Sequence, residues 1–484
     1  MQFIFSFKYE NLDRKVIVLT IESREYQNFI IERISALVDE NQSVILELDC
    51  GMGKRVMMYR LLTEVFKEKR VVVFLQTHSS LEETLLYLEK EYGGIEGLAA
   101  IKSGTNAVYR KNLIENNRII LSLPTVFSNT LKKYPELANT IDIIIINEVD
   151  QIVRRVSHRR VLCVPWNILL PALDNSKIIG MSGTLRDDHL VLDDNQLHLR
   201  NELKTLLEFI PRSSTITIED FIDTDIKEYI QDTEVLISPV KDEKTAIIIN
   251  MITEHIKNVR EKIIQEVKES SPQEAARLKR DFFNVLPLIS VETELAEKLN
   301  RLLLLRKYIY SMPASSYRNY LFRYDFEQKE SIDLPSISGK ELEIIKITKG
   351  YQKVTILCSF LSTVDSLSKL LEKEGFETYI VTGRKKNKGE IIDEFKRTKN
   401  KSALILSPVG ERDLDIPQTE VIIVFDLVNS PKTVYQKMKR SRGGKVILLY
   451  YEDTAEKQKV RNVVDNIAVR YPWSIIFHVN KDNS

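Results

Sequence analysis

The chain has almost no surplus charge: 70 Lys and Arg face 69 Asp and Glu, a formal net charge of +1. No whole-molecule field draws it to nucleic acid, so any such surface has to be local. It is also poor in cysteine, with three in 484 residues. Cys50, Cys163 and Cys358 stand singly in apolar or motif segments, which excludes a disulfide framework and suits a reducing cytosol. The histidines (His78, His158, His189, His198, His255 and His478) have no metal-ligand spacing. No apolar run approaches the ~20 residues of a membrane span, and the opening MQFIFSFKYENLDRK lacks a positive stretch followed by a long apolar one. These absences predict a cytoplasmic protein that does not engage a membrane. The scarcity of glycine beside abundant Ile, Lys and Glu hints at a thermophilic source.

Length and rhythm are what the chain does have. At ~150 residues per domain the sequence divides into about three, each able to bury a sizeable core. Residues 1–205 alternate short β-branched runs (VILEL, VVVFL, IILSL, IDIIII, KIIGMS) with amphipathic helical segments, the parallel βαβ pattern of a first α/β lobe. Residues 206–239, with PRSS and the acidic IEDFIDTDIKEYIQD, are the expected connector. Residues 240–337 turn to long segments of helical period. Residues 338–484 return to βαβ rhythm (VTILCSF, TYIVTG, SALILS, VIIVFD, KVILLYY) and form a second lobe with a C-terminal tail.

The stretch VILELDCGMGKRV reads as a buried strand entering a Gly-x-Gly-Lys phosphate loop, where backbone N–H groups from Gly51 to Lys54 would cradle an anion. In a working loop the residue after the lysine is Ser or Thr, whose hydroxyl ligates Mg²⁺. Here it is Arg55. Further on, IDIIIINEVD delivers Asn147, Glu148 and Asp150 where a strand-end carboxylate would hold the same metal. Replacing a hydroxyl by arginine adds one positive charge, and replacing aspartate by asparagine removes one negative charge. Together the two changes equal the charge of the magnesium ion. The expectation is that Arg55 stands in the magnesium position, giving either metal-independent nucleotide binding or a self-filled pocket.

In order along the chain these motifs resemble a superfamily 2 helicase, most closely the archaeal Hef and Fanconi-anaemia M branch. IESREYQNFI resembles its Pro-Arg-x-Tyr-Gln segment, with Ser23 in place of proline, and the resemblance implies adenine contacts from Arg24 and Gln27. VVVFLQTHSSL, RIILSLPTVFSN and NEVD resemble motifs Ia, Ib and the DExH box. IIGMSGT resembles the Ser-Ala-Thr motif, which makes Ser182 and Thr184 coupling residues. SPVGERDLDIP resembles the Thr-Ser-Val-Gly-Glu-Glu-Gly-Leu-Asp-Val-Pro motif, placing Asp415 at the nucleotide, with Asp413 replacing a glycine. QKMKRSRGGKVILLYY resembles the arginine-finger motif: Gln436 and Arg440 align, whereas the terminal arginine falls on Gly443 with Arg442 one position early. The implied fold is two RecA-like parallel-sheet lobes with a thumb-like helical insertion between them.

The resemblance implies ATP as the nucleotide, with Mg²⁺ in doubt because its usual ligands are Arg55 and Asn147. Metal polarisation contributes several kcal/mol to such reactions, and each ~1.4 kcal/mol is tenfold in rate. Glu148, Arg440 and Arg442 are the catalytic candidates that remain. Three basic patches are candidates for nucleic acid: the run Arg154, Arg155, His158, Arg159 and Arg160; the loop with Arg384, Lys385, Lys386 and Lys388; and RKYIYSMPASSYRNYLFRY with Arg306 and Arg318 among tyrosines. Each has a plain alternative as solvated surface or core. The reading is of a helicase-like DNA-binding protein at branched or repair and replication intermediates, with impaired or absent hydrolysis. Its implied partners are duplex or branched DNA and a separate repair nuclease. The alternatives are an active DNA-dependent ATPase, with Asp150, Asp413 or Arg442 compensating, and a double-stranded RNA binder.

Overall fold

A computed structural model describes residues 24–49, 51–156, 159–193, 196–230, 232–323, 333–383, 385, 387–408, 416–428, 430–441, 443–473 and 475–479. The unbroken β-branched runs form strands that are buried on both faces, as parallel strands covered by helices require. In chain order, the first half contributes β1 (Ser43–Glu47), β2 (Val71–Phe74), β3 (Leu98–Ile101), β4 (Ile119–Ser122), β5 (Ile143–Asn147), β6 (Val153–Val156), β7 (Arg159–Leu162), β8 (Lys177–Ser182), β9 (Asp188–Asp193), β10 (Gln196–Asn201) and β11 (Ser213–Ile216). Seven of these make an all-parallel sheet ordered β11-β1-β8-β5-β2-β4-β3, while β6-β7 and β9-β10 are antiparallel ribbons.

The second sheet comprises β12 (Thr233–Val240), β13 (Lys353–Leu357), β14 (Glu377–Val381), β15 (Ser402–Leu406), β16 (Val421–Val424), β17 (Lys445–Tyr451) and β18 (Ile475–Val479). It is again all parallel, in the order β14-β15-β13-β16-β17-β12-β18. The expected connector at 206–239 is divided differently. β11 extends the first sheet beside β1, and β12 lies inside the second between β17 and β18. SSTI and TEVLISPV are short β-forming runs, and pairing with a neighbouring strand satisfies backbone groups that would otherwise need water. The helical segment therefore interrupts the second lobe after its first strand.

That insertion opens with the helix Glu243–Ser270, N-capped by the Asp242 carboxylate, which accepts from the Thr245 amide at 3.0 Å. Ile249, Ile252, Ile256, Val259, Ile263 and Val267 recur at three- to four-residue spacing and are buried, as is the neighbouring Ile248. They share one continuous core with Val354, Ile356, Ile405 and Ile423 of the second sheet. A fully buried ion pair, Lys340 with Glu456 at 2.8 Å, pins the insertion here, because Lys340 also donates to the Tyr310 carbonyl at 3.0 Å.

Candidate functional site

The phosphate loop leaves the carboxyl end of β1. Gly51 (φ +87°) and Gly53 (φ +78°) occupy left-handed backbone that a side chain would strain, and space at Gly51 is open. A Cβ on Gly53 would lie 3.1 Å from the Gln27 amide nitrogen. The segment matched to adenine recognition thus packs directly on the loop. The Tyr26 hydroxyl donates to the Met52 carbonyl at 3.0 Å and accepts from the Gln27 amide at 3.1 Å. Gln27 Oε1 is buried and has no hydrogen-bond partner among the described residues. Arg24 lies over the Tyr229 ring at 4.0 Å.

The helix Lys54–Arg60 starts at the end of this loop, and Lys54 Nζ meets Glu148 Oε1 at 2.7 Å. Glu148 sits at φ 57°, ψ 59° on the turn that follows β5, a left-handed conformation that is uncommon for a residue with a side chain and recurs at functional sites. Asn147, at the end of β5, accepts from the Gln76 amide through its backbone carbonyl at 3.2 Å. Arg55 is turned elsewhere: its guanidinium pairs with Glu83 at 2.7 Å and lies over the Tyr87 ring at 5.6 Å, both on the helix His78–Tyr92. The expected occupation of the magnesium position by Arg55 is therefore corrected. The long side chain reaches a nearby carboxylate on its own lobe and keeps partial contact with water.

Asp150, two residues beyond Glu148, accepts from the Ser182 hydroxyl at 2.7 Å and from Lys432 of the second lobe at 2.7 Å. Gly180, in β8, allows this approach, since a Cβ there would lie 2.6 Å from Val149. Lys432 also pairs with Glu202 at 3.0 Å. Burial opposes ionisation of Asp150, yet Lys432 and the Ser182 hydroxyl outweigh it and hold its pKa below the usual carboxylate value. Burial likewise opposes the charge on Lys432, and Asp150 and Glu202 outweigh it, so its pKa is raised. Glu202 takes the opposite share: burial, with Asp150 and Asp187 adding to it, pushes its pKa up to about 7 despite Lys432.

Lys432 belongs to the helix Pro431–Lys439, N-capped by the Ser430 side chain. Lys432, Tyr435, Gln436 and Lys439 fall at i, i+3, i+4 and i+7, one face of the helix. That face lies on the first lobe. The Tyr435 hydroxyl donates to Asp49 Oδ2 at 2.5 Å, Lys439 stands 3.9 Å from the same oxygen, and the Gln436 amide donates to the Thr184 hydroxyl at 2.8 Å. Ser182 and Thr184, both fully buried, thus link the DExH-like turn and the second lobe respectively. Arg470 adds a further cross-lobe pair with Asp187 at 2.5 Å. Asp49, Glu202, Lys432 and Tyr435 were not singled out from the sequence, although the i, i+3, i+4, i+7 spacing around Gln436 carried the signal for the last two.

Arg440 caps the C-terminal end of the same helix and is half-buried. Arg442 and Asp415 lie outside the described residues, as do Arg384 and Lys386. Lys385 is exposed, and Lys388 begins the helix Lys388–Arg397. Arg154 and Arg155 belong to β6 and Arg159 and Arg160 to β7 of the antiparallel ribbon, whereas His158 lies outside the described residues. Of the tyrosine-rich segment, Tyr310 and Tyr317 are buried and Tyr308 packs against Tyr320 and Phe360, so these rings serve the core. Arg306 reaches Thr253 at 3.4 Å, and Arg318 reaches the Leu334 and Pro335 carbonyls at 3.4 Å. Nothing brings either arginine to the cleft between the lobes.

Two family models match the chain: the res subunit of type III restriction enzymes over residues 20–187, and the helicase conserved C-terminal domain over residues 339–444. The fold is similar to that of the Hef helicase domain from Pyrococcus furiosus, at 13% identity and a TM-score of 0.56, covering 91% of this chain and 98% of that one. It is also similar to S. cerevisiae Dbp5 bound to RNA and ADP BeF3, at 13% identity and a TM-score of 0.53, covering 95% and 90%. A curated relative from Methanocaldococcus jannaschii, named putative ATP-dependent RNA helicase MJ1505, is 28% identical over 151 residues, a stretch covering 28% of this chain and only 19% of the relative. At these identities the structural likenesses establish the fold.

Proposed function

Because the chain is a helicase-like protein of superfamily 2, we propose that it binds DNA at branched or repair and replication intermediates while hydrolysing ATP slowly or not at all. One observation carries this reading: both carboxylates of the DExH-like box are held by the protein's own cations, Glu148 by Lys54 and Asp150 by Lys432, each at 2.7 Å. A motor needs Lys54 for phosphate, and Glu148 to orient water.

The described residues suit a nucleotide better than its metal. The open space at Gly51 and the partnerless Gln27 Oε1 offer a phosphate cradle and an acceptor for an amino group such as adenine's. Magnesium needs hard oxygen donors. Arg55 and Asn147 supply a guanidinium and an amide, and the neighbouring carboxylates Glu148 and Asp150 are already paired. That set does not fit Mg²⁺, and losing several kcal/mol of metal stabilisation slows hydrolysis by orders of magnitude. Lobes held together by Lys432, Tyr435 and Gln436 can grip a strand without cycling. The choice of DNA, an archaeal setting and a repair nuclease as partner follow from the resemblance to the Hef branch, and a cytoplasmic setting from the cysteine usage and the lack of a long apolar run. Double-stranded RNA is the second reading, and the name of the curated relative favours RNA in general.

The test is ATP turnover with and without forked DNA and Mg²⁺, beside calorimetric nucleotide binding. It is run on the wild type, on Lys432→Ala and on an Arg55→Thr, Asn147→Asp double variant. DNA binding without stimulated turnover is the expected result. Stimulated turnover that Lys54→Ala abolishes overturns the reading, and competition between forked DNA and double-stranded RNA decides the nucleic acid.

A further inference from the structure

The second sheet carries a crevice that none of the helicase-like motifs points to, although the basic segment that begins at Arg306 borders it. From β13 the chain runs outward to β14 and β15, whereas from β16 it runs the opposite way to β17, so β13 and β16 flank a reversal of strand order. Parallel sheets bind ligands at such a point, outside the carboxyl ends of the strands. Ser359, two residues after β13 ends, and Asp426, two after β16 ends, meet there, with the Ser359 amide donating to Asp426 Oδ1 at 3.1 Å. The insertion roofs the gap and leaves a cavity of about 840 Å³, within the size range of small-molecule sites.

Its lining is asymmetric in charge. Arg306, Lys307 and Lys459 face one carboxylate, Asp426. Lys459 is largely buried, and burial lowers its pKa; it donates to the Leu427 carbonyl. Phe283 and Leu304 line the same cavity and remain 48% and 42% exposed, unusual for large apolar side chains beside three cations. Tyr310, also on the wall, is 7% exposed. Cations beside an exposed aromatic ring and an exposed aliphatic side chain are together complementary to a phosphate joined to a planar ring.

We propose that this cavity binds one nucleoside 5′-monophosphate unit, with Arg306 and Lys307 on the phosphate and Phe283 and Leu304 on the base. The unit comes either from a free mononucleotide or from the phosphorylated end of a strand. The second source rests on the nucleic-acid reading and the first does not.

The test uses the full chain carrying Lys54→Ala, which weakens phosphate binding at the loop, and the substitutions in the crevice separate the two sites. Binding of AMP is measured by calorimetry, and binding of 5′-phosphorylated and 5′-hydroxyl forked DNA by fluorescence anisotropy. The expected result is at least tenfold tighter binding of AMP than of adenosine, or of phosphorylated than of hydroxyl ends. Arg306→Ala and the rim variant Leu304→Glu should weaken that preference about tenfold, and Asp426→Asn should strengthen it. Leu304→Glu alters an exposed side chain, so its effect does not depend on a damaged core. Equal binding of both DNA ends with no AMP bound overturns this proposal and leaves the nucleic-acid reading intact. AMP bound without any DNA binding does the reverse. A phosphate preference indifferent to all three substitutions also overturns it.

Discussion

The cleft between the lobes and the crevice under the insertion carry opposite charge arrangements. In the cleft, where nearly every motif lies, Lys54, Lys432 and Lys439 stand against Glu148, Asp150, Glu202 and Asp49 at 2.7 to 3.9 Å. In the crevice three cations share one carboxylate. The difference teaches that resemblance to a motif is a statement about residue type, whereas capacity for a ligand depends on which charges the fold has already matched.

The largest expected effect removes what holds the crevice. Lys340→Ala leaves Glu456 buried and unpaired, and should cost about 3–5 kcal/mol in chemical denaturation, with loss of any AMP binding. Lys432→Ala comes next. It leaves Asp150 and Glu202 facing each other across the cleft, and should cost roughly 3 kcal/mol and expand the molecule in small-angle scattering. A Lys432→Ala protein of unchanged stability and size would mean that the lobes are held by something else.

The pH dependence is smaller and has a definite sign. Glu202 has its pKa raised by burial from 4.5 to about 7, so between those values the folded protein holds a proton that the unfolded chain releases. Its contribution is complete below pH 4.5 and is lost as pH rises through 7, at most ~3 kcal/mol. Thermal stability should therefore fall over that window, and Glu202→Gln should flatten the slope. Asp187, its pKa also raised by burial, acts in the same direction and leaves a residual slope. The smallest effect is at Arg55. Its pair with Glu83 is partly exposed, so Arg55→Thr should change stability by less than about 1 kcal/mol. A large loss on denaturation would return Arg55 to a structural place at the nucleotide site.

Much of the fold was legible. The two lobes and the helical block followed from β-branched runs and from stripes such as Ile248 to Val267, because strand and helix periodicities are local. β11 and β12 were missed because short runs such as SSTI and TEVLISPV look alike in a linker and in a strand, and only a neighbouring strand decides between them. Gly51, Gly53 and Lys54 were legible because the loop's backbone geometry demands glycine at fixed places. The place of Arg55 was not, because charge balance says nothing about reach: Glu83 lies on the helix beside it, and partial hydration there costs less than burying a guanidinium.

The sequence by itself determined two parallel-sheet lobes, a helical insertion and a Gly-x-Gly-Lys loop without the usual hydroxyl after its lysine, since periodicity, glycine placement and residue chemistry are properties of short segments. Only the tertiary structure decided that Lys432 and Tyr435 reach Asp150 and Asp49 across the cleft, and that Arg306, Lys307 and Lys459 gather at a strand reversal. Ion pairing falls steeply with distance and rises with burial, and both are set by how segments hundreds of residues apart come to lie against each other.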